Sequence, residues 1–319
     1  MSGPHGALTP AASLEATAMF AIRRILCPVD FSEESRRGLE HAAAMARRWG
    51  ARLEVLHVYQ AASPFDVVPP DEETAVTDPQ LDMLRTALED FAQPIAGDAA
   101  VTLRLLHGTA ARRPIVREAD AIDADLLVIG SHGRSGVERF LLGSTSESMV
   151  KTATCPVLVV PSGAGPADDG RFRRILCGVD FSAPSLRAYR YAVHLAAADA
   201  PDDAQLTLLH AIEMPPELRD RQIAAAFDVA AVRTAAEVAA RQRLERLSPG
   251  HDAPSVRTVA RVAEGRADRQ IVEAARQLHA DVIVLGTHGR NVVDRWLFGS
   301  NTQAVVGDAP CPVLVVHPD

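Results

Sequence analysis

Short apolar runs alternate with amphipathic stretches along this chain. The apolar runs are rich in valine, isoleucine and leucine and have the length of buried strands, whereas the Ala-, Arg- and Glu-rich stretches have helical spacing. For the first half the pattern predicts strands at about 23–29, 53–58, 101–106, 125–130 and 157–160, and helices near 33–49, 80–96, 111–122 and 144–152.

This order of elements predicts an α/β fold. A strand that returns parallel to its predecessor through a helix makes a right-handed crossover, and the helices then cover both faces of a parallel sheet. Strands buried on both faces are apolar nearly throughout, as these are. In such sheets ligands gather at the carboxyl ends of the strands.

The pattern occurs twice, and the residues themselves repeat. Residues 22–32 (IRRILCPVDFS) and 172–182 (FRRILCGVDFS) are identical at nine of eleven positions. Further on, ADLLVIGSHGR at 124–134 returns as ADVIVLGTHGR from position 280, and CPVLVV closes both copies. Such self-similarity indicates two tandem copies of one domain.

The repeat divides the chain into four segments. The first is small, polar and without apolar periodicity, which predicts a disordered extension, and the Gly-, Pro- and Asp-rich stretch between the copies predicts a linker. The predicted segments are the extension 1–18, the first domain 19–162, the linker 163–170 and the second domain 171–319.

The two copies differ after their second strand. Residues 217–247 form a long Ala-, Arg- and Glu-rich stretch that predicts a helix. The first copy has Pro64, Pro69, Pro70 and Pro79 in this region, which predicts a longer irregular loop.

Composition and charge exclude several classes of protein. A net charge of −8 argues against a broad surface that neutralises nucleic-acid phosphates. No apolar run approaches the ~20 residues that cross a bilayer, and the chain starts without a secretory leader pattern. We therefore expect a cytoplasmic protein with no nucleic-acid or membrane partner.

The cysteines indicate no metal or redox site. Cys27, Cys155, Cys177 and Cys311 form no C-x-x-C pair and lie in or beside apolar strands, so we expect small buried thiols.

The strongest candidate for chemistry is a glycine-rich loop in each copy. Gly130-Ser-His-Gly133 follows a strand, nine residues intervene, and Gly143-Ser144-Thr145 opens a helix. Backbone without Cβ can pass close to a polyphosphate, and a helix start offers N–H groups, a hydroxyl and a positive dipole end to an anion. The alternative is structural: the glycines make a turn and Ser144 only caps the helix.

Charged groups accompany this loop. Asp30 and Asp180 end the first strand of each copy, where a carboxylate can accept a hydrogen bond from an adenine amino group or a ribose hydroxyl; the alternative is an Asx-type cap of the following helix. His132 and His288 lie inside the loops and precede Arg134 and Arg290, which are candidate phosphate partners.

Other catalytic signatures are missing from the sequence. It has no P-loop, no G-x-G-x-x-G after a strand, no H-E-x-x-H and no G-x-S-x-G, and no carboxylate pairs locally with the loop histidines as a general base would require. The histidines that end the second strands, His57 and His210, are expected to be buried and bonded to backbone.

At these residues the chain resembles the universal stress protein family, specifically its tandem members, over about 20–162 and 171–318. The first-strand Asp, the G-x2-G-x9-G-[ST] loop and the closing P-V-L-V-V strand all occur in order, twice. The resemblance implies two doubly wound, flavodoxin- or Rossmann-like domains, each with a five-stranded parallel sheet of order 3-2-1-4-5. Members with the complete glycine motif bind ATP, with or without Mg²⁺.

The resemblance also implies the residues that contact the nucleotide. Adenine and ribose contacts fall to Asp30 and Val58, with the backbone approaching at Pro28. Phosphate contacts fall to Gly130, Gly133, Arg134, Gly143, Ser144 and Thr145, and the matching positions in the second copy are Gly178, Asp180, Ala211, Gly286, Gly289, Arg290, Gly299, Ser300 and Asn301. The family dimerises through its last strand, so the resemblance implies an intramolecular pseudo-dimer of the two domains, with a homodimer as a further arrangement.

Three functions remain open at this point. The first is a cytoplasmic stress-response regulator or nucleotide sensor that binds ATP and hydrolyses it slowly at most. The second is an ATP-hydrolysing or adenylyl-transferring enzyme of nucleotide-alpha-hydrolase-like architecture. The third is a nucleotide-independent scaffold that docks a partner through 61–79 or 217–247. The exchange of Val58 for Ala211 and of Thr145 for Asn301 predicts tighter ATP binding in the first copy.

Overall fold

The computed structural model describes most of the chain. The described residues are 21–60, 79–132, 142–167, 169–199, 204–214, 228–247, 256–287 and 299–317. The predicted extension 1–18, nearly all of the predicted loop 61–79 and the interiors of both glycine-rich loops lie outside these ranges.

The first half alternates strands and helices as its apolar pattern predicts, with every predicted boundary within a residue of the observed one. Its elements are β1 (Arg24–Pro28), α1 (Glu33–Trp49), β2 (Arg52–Tyr59), α2 (Pro79–Ala96), β3 (Val101–His107), α3 (Arg112–Ala121), β4 (Leu126–Gly130), α4 (Ser144–Thr152) and β5 (Val157–Val160).

The second half repeats the order. Its elements are β6 (Arg174–Gly178), α5 (Ala183–Asp199), β7 (Gln205–Ile212), α6 (Val229–Glu245), β8 (Arg257–Glu264), α7 (Ala267–Leu278), β9 (Val282–Gly286), α8 (Ser300–Asp308) and β10 (Val313–Val316). Within the predicted helical stretch 217–247, Asp228 accepts a hydrogen bond from the Ala231 N–H and caps α6, whereas residues 217–227 lie outside the described residues.

All ten described strands form one sheet, in the order β3-β2-β1-β4-β5-β10-β9-β6-β7-β8. Within each half the strands are parallel in the order 3-2-1-4-5, which confirms the predicted fold class. The halves meet where β5 and β10 pair antiparallel, with Leu158 opposite Leu314. The apolar closing strands are therefore interior strands of the shared sheet.

Two apolar layers lie on the faces of this sheet. One contains buried residues of α1, α2, α5 and α6, and the other those of α3, α4, α7 and α8. The four cysteines are buried without disulfides, as predicted, and burial raises the pKa of the Cys155 and Cys311 thiols to about 12. Among the described residues no helix is both long and apolar enough to cross a membrane.

Candidate functional site

The turn from β1 into α1 holds the first candidate carboxylate. Asp30 Oδ1 accepts hydrogen bonds from the Ser32 N–H (3.1 Å) and from the Ser32 hydroxyl (2.5 Å). Ser32 then caps α1, because its hydroxyl oxygen accepts from the Ser35 N–H. The alternative interpretation of Asp30 as an Asx-type cap of α1 is therefore half right. The Asx turn is present, but the residue that caps the helix is Ser32. Asp180 makes the same two bonds to Ser182.

A phenylalanine in left-handed backbone geometry lies at the centre of each turn. Phe31 has φ 66° and Phe181 has φ 64°, which is uncommon for bulky residues and costs about 1–3 kcal/mol. The Phe31 ring lies 4.4 Å from the His57 ring, measured between centroids. The two copies therefore hold the first-strand carboxylate with the same strained turn.

The histidines that end the second strands support these turns. His57 Nδ1 lies 2.8 Å from the Val29 carbonyl oxygen, and His210 Nδ1 lies 2.6 Å from that of Val179. A carbonyl only accepts, so Nδ1 carries the proton and donates. The expectation of histidines bonded to backbone is confirmed, and His57 is buried.

Hydrogen bonds bring the start of α4 beside the end of β4. The Gly143 N–H donates to the Ser131 carbonyl (2.8 Å), and the buried Ser146 hydroxyl donates to the Gly130 carbonyl (2.7 Å). In the second half, Thr302 makes the bond to Gly286 at 3.1 Å. This hydroxyl was not among the predicted site residues, although both copies carry the pattern Gly-Ser-x-[Ser/Thr] at this point of the sequence.

The amino-terminal end of α4 carries no side-chain cap. Gly143 is the N-cap residue and Gly299 is its counterpart in α8, and glycine has no side chain to accept from the first N–H groups. The interpretation of Ser144 as the N-cap is therefore wrong, because Ser144 is the first helical residue. First-turn amides without an internal partner and the positive end of the helix dipole together attract an anion.

The glycines at the strand ends have a packing role that the sequence analysis did not foresee. A Cβ on Gly130 would lie 2.5 Å from the Glu34 carbonyl oxygen, and one on Gly286 would lie 2.7 Å from the Pro184 carbonyl carbon. Both glycines let a helix cross close over a strand end. Their missing side chains therefore face a helix backbone, which is a packing reason for glycine in addition to the predicted phosphate contact.

Each half has a cavity at the carboxyl ends of its strands, of about 300 Å³ in the first and about 610 Å³ in the second, both within the usual range for small-molecule sites. Every predicted site residue that the structure describes lines one of them. The first is lined by Pro28, Asp30, Val58, Gly130, His132, Gly143, Ser144 and Thr145, and the second by Gly178, Asp180, Ala211, Gly286, Gly299, Ser300 and Asn301. The predicted residues Gly133, Arg134, His288, Gly289 and Arg290 lie outside the described residues.

The cavities also have an apolar wall, which the sequence analysis did not list. Leu56, Ile115 and Ile129 contribute it in the first half. His132 Nδ1 lies 2.9 Å from the Ser131 hydroxyl at the same edge. Within the described residues no group of three or more His, Cys, Asp or Glu side chains is arranged to hold a metal ion.

A carboxyl pair lies on the side of β2 that faces the first cavity. Arg104 Nε is 3.3 Å from Glu54 Oε1 and 3.7 Å from Glu118 Oε1, and both glutamate side chains are 13% exposed. Burial, followed by a hydrogen bond with Glu118, raises the pKa of Glu54 to about 7 against the opposing effect of Arg104. Glu54 shares its strand face with Leu56 and Val58, which line the cavity.

Fold and site together define a tandem Rossmann-like α/β protein with one cavity per half. The chain belongs to the universal stress protein family, since the sequence profile of that family matches residues 21–161 and again 171–317.

Known relatives include proteins with the same tandem length. A universal stress protein of Mycolicibacterium smegmatis is 31% identical over 307 residues, which cover 92% of this chain and 97% of that protein. One of Mycobacterium tuberculosis is also 31% identical over 203 residues, but the match covers 61% of this chain and 62% of its own length. The crystal structure of a universal stress protein from Archaeoglobus fulgidus has the same fold as this chain. The two superpose over 92% of this chain and 98% of that protein, with a TM-score of 0.63 and 19% sequence identity.

Proposed function

We propose that this protein is a cytoplasmic ATP-binding regulator of the stress response that senses nucleotide and hydrolyses it slowly at most. One observation carries the proposal: in both halves an uncapped helix start and a first-strand carboxylate line the same cavity.

The polar groups of the cavity support one orientation of the nucleotide. The first-turn amides of α4 and the hydroxyls of Ser144 and Thr145 suit the phosphates, because they donate hydrogen bonds and lie at the positive end of a helix dipole. Asp30 and the apolar wall beside Val58 suit the nucleoside, since a carboxylate accepts from amino or hydroxyl groups and the wall packs on a ring.

The pairing of β5 with β10 supports an intramolecular pseudo-dimer. Each copy alone would expose an apolar edge strand, which favours association. In this chain the two edges cover each other. We propose that this arrangement occupies the surface through which single-domain relatives would pair.

Release of bound nucleotide tests the proposal directly. Denaturing the purified protein should release ATP or ADP, identified by chromatography. Gly143→Phe should remove the ligand of the first site and Gly299→Phe that of the second, because neither glycine has a positive φ and a bulky ring would fill the phosphate end. Each variant controls for the other, since its unchanged half should still bind. Full nucleotide occupancy in both variants would contradict the placement of the phosphates.

Two further assays separate the alternatives. Steady-state ATP turnover above ~1 s⁻¹, the low end of ordinary enzymes, would favour the enzyme over the sensor. Repeating the binding measurement with EDTA tests whether Mg²⁺ accompanies the nucleotide, because chelation should weaken binding only if the ion is part of the ligand.

A further inference from the structure

The two cavities differ at the end that lies away from the helix start. At the phosphate end the halves match, since the same bonds anchor Gly143 and Gly299. At the opposite end, the lining of the first cavity on β2 includes Leu56 and Val58. The second continues past Ala211 to Ile212, Glu213 and Gly265. Its volume is about twice that of the first.

A side chain at the end of the second strand in the first half is replaced in the second half. Gln60 Nε2 donates a hydrogen bond to the Thr109 carbonyl oxygen (3.0 Å). This bond connects the end of β2 to the loop after β3. The aligned residue in the second half is Glu213. A carboxylate only accepts when ionised, so it cannot make this bond to a carbonyl.

The loop after the third strand packs on a residue that lines the first cavity. A Cβ on Gly108 would lie 2.6 Å from Pro114 Cγ and 3.2 Å from Val58 Cγ1, so this loop packs directly on Val58 and α3. Gly265 donates its N–H to the last residue of β7, as Gly108 does to the last residue of β2, but it has φ 127° and faces the Gln270 side chain. The smaller Ala211 replaces Val58 beside it. Three differences between the halves therefore lie at the same end, where the second cavity extends further.

The charge at the open end is negative. Arg266 binds Asp268 through Nε (3.1 Å) and Nη2 (2.8 Å), and the Asp268 side chain is 10% exposed. Arg266 is also close enough to Glu213 to be attracted by it. Because Arg266 is already paired with Asp268, the Glu213 carboxylate is the charge that lines this end of the cavity, and it favours a cation.

We propose that the second site takes a nucleotide enlarged at its nucleoside end by an amine-bearing substituent, and that the first site excludes it. This rests on the proposed function, because the helix start must hold the phosphates for the nucleoside to face Glu213. The substituent extends the base or the ribose, and the ammonium group lies beside the Glu213 carboxylate.

Calorimetric titration of the unmodified chain tests the inference. The probes are ATP, N6-(6-aminohexyl)-ATP and ATP carrying an aminoalkyl carbamate on a ribose hydroxyl, which separate a base substituent from a ribose substituent. We expect two equivalents of ATP and one equivalent of one aminoalkyl probe. Two equivalents of both probes, or none of either while ATP binds twice, would overturn the inference alone. No binding of ATP would overturn the proposed function and this inference together.

Variants locate the probe. Gly299→Phe should abolish probe binding and Gly143→Phe should leave it intact. Glu213→Gln should weaken the probe about fivefold without changing ATP, and acetylating the amine of the probe should have the same effect on the wild-type chain. Ala211→Val, which narrows the open end, should weaken the probe more than ATP. Gln60→Glu is the matched control for loss of the hydrogen bond from Gln60 to the Thr109 carbonyl. Probe binding that survives Gly299→Phe would refute the assignment of the probe to the second site.

Discussion

At the scale of single residues, the glycines of the site have two separate roles. Gly143 and Gly299 leave a helix start without a capping side chain. Gly130 and Gly286 make room for a helix backbone. The sequence shows all four as parts of one motif, and only the packing of α1 and α5 distinguishes them. A substitution at Gly130 therefore tests folding rather than phosphate contact.

Gly130→Ala should destabilise the protein strongly. The added Cβ would lie 2.5 Å from a backbone oxygen that cannot rotate away, so we expect a loss of about 2–4 kcal/mol in the free energy of unfolding. Gly163→Ala is the matched control, because its Cβ would meet nothing within 4 Å. Urea unfolding measures both, and equal midpoints would contradict the packing role.

The carboxyl pair beside β2 predicts a pH dependence of stability. The pKa of Glu54 is about 7 in the folded protein and near 4.5 when exposed, so the folded state binds this proton more tightly. The stabilisation is complete below about pH 4.5 and is lost as pH rises through 7. Glu54→Gln stays neutral at every pH.

Unfolding of wild type and Glu54→Gln at pH 5 and pH 8 checks this sign. The wild-type protein should lose on the order of 1–2 kcal/mol relative to the variant between these values, after allowance for partial solvation of the pair. The second half has Thr207 at the position aligned with Glu54, so Thr207→Val serves as a control without this pH dependence. A constant difference between the two proteins would rule out a shared proton.

For the helices and strands, the periodicity of apolar residues in the sequence is enough to predict nearly all of the observed elements. Strands and helices of the first half begin and end where the apolar pattern changes, and the repeat transfers them to the second half. The start of α6 depends on a single capping side chain, Asp228, which a continuous helix-forming composition does not reveal. The Ser146 bond was missed because its partner, the Gly130 carbonyl, becomes a neighbour only when β4 and α4 are packed.

Ser146→Ala tests whether this bond positions the helix start. The change removes a buried hydroxyl that donates to a backbone carbonyl, which should cost about 1 kcal/mol of stability and weaken ATP at the first site severalfold. Ser148→Ala, in the same helix but not lining the cavity, is the control. Calorimetry on the two variants compares them, and unchanged ATP affinity in Ser146→Ala would show that the bond has no positioning role.

In the whole molecule, the five strands of each half join into one sheet through the pairing of β5 with β10. The sequence predicts the closing strands and, through the family resemblance, their pairing, but not the contacts of the linker. His41 Nε2 lies 3.3 Å from the Gly165 carbonyl oxygen, and Gly170, with φ 71°, lies against the Ala44 backbone. Such contacts depend on where α1 lies relative to the chain between the halves, which no local pattern encodes.

Cleaving the linker should leave the halves together. A protease site placed between Ser162 and Ala167 can be cut in the folded protein, and the buried pairing of β5 with β10 should hold both fragments in one peak on size-exclusion chromatography. Leu314→Arg, which places a charge in this buried strand, should separate them. Fragments that separate at micromolar concentration without that change would contradict a stable interface between the halves.

We propose that each half forms a nucleotide site from a first-strand carboxylate and an uncapped helix start. Calorimetric titration of the unmodified chain with ATP measures this binding. We expect saturable binding of two ATP molecules per chain, falling to one in either Gly143→Phe or Gly299→Phe. No heat of binding at millimolar ATP, or a stoichiometry that neither substitution changes, would contradict it.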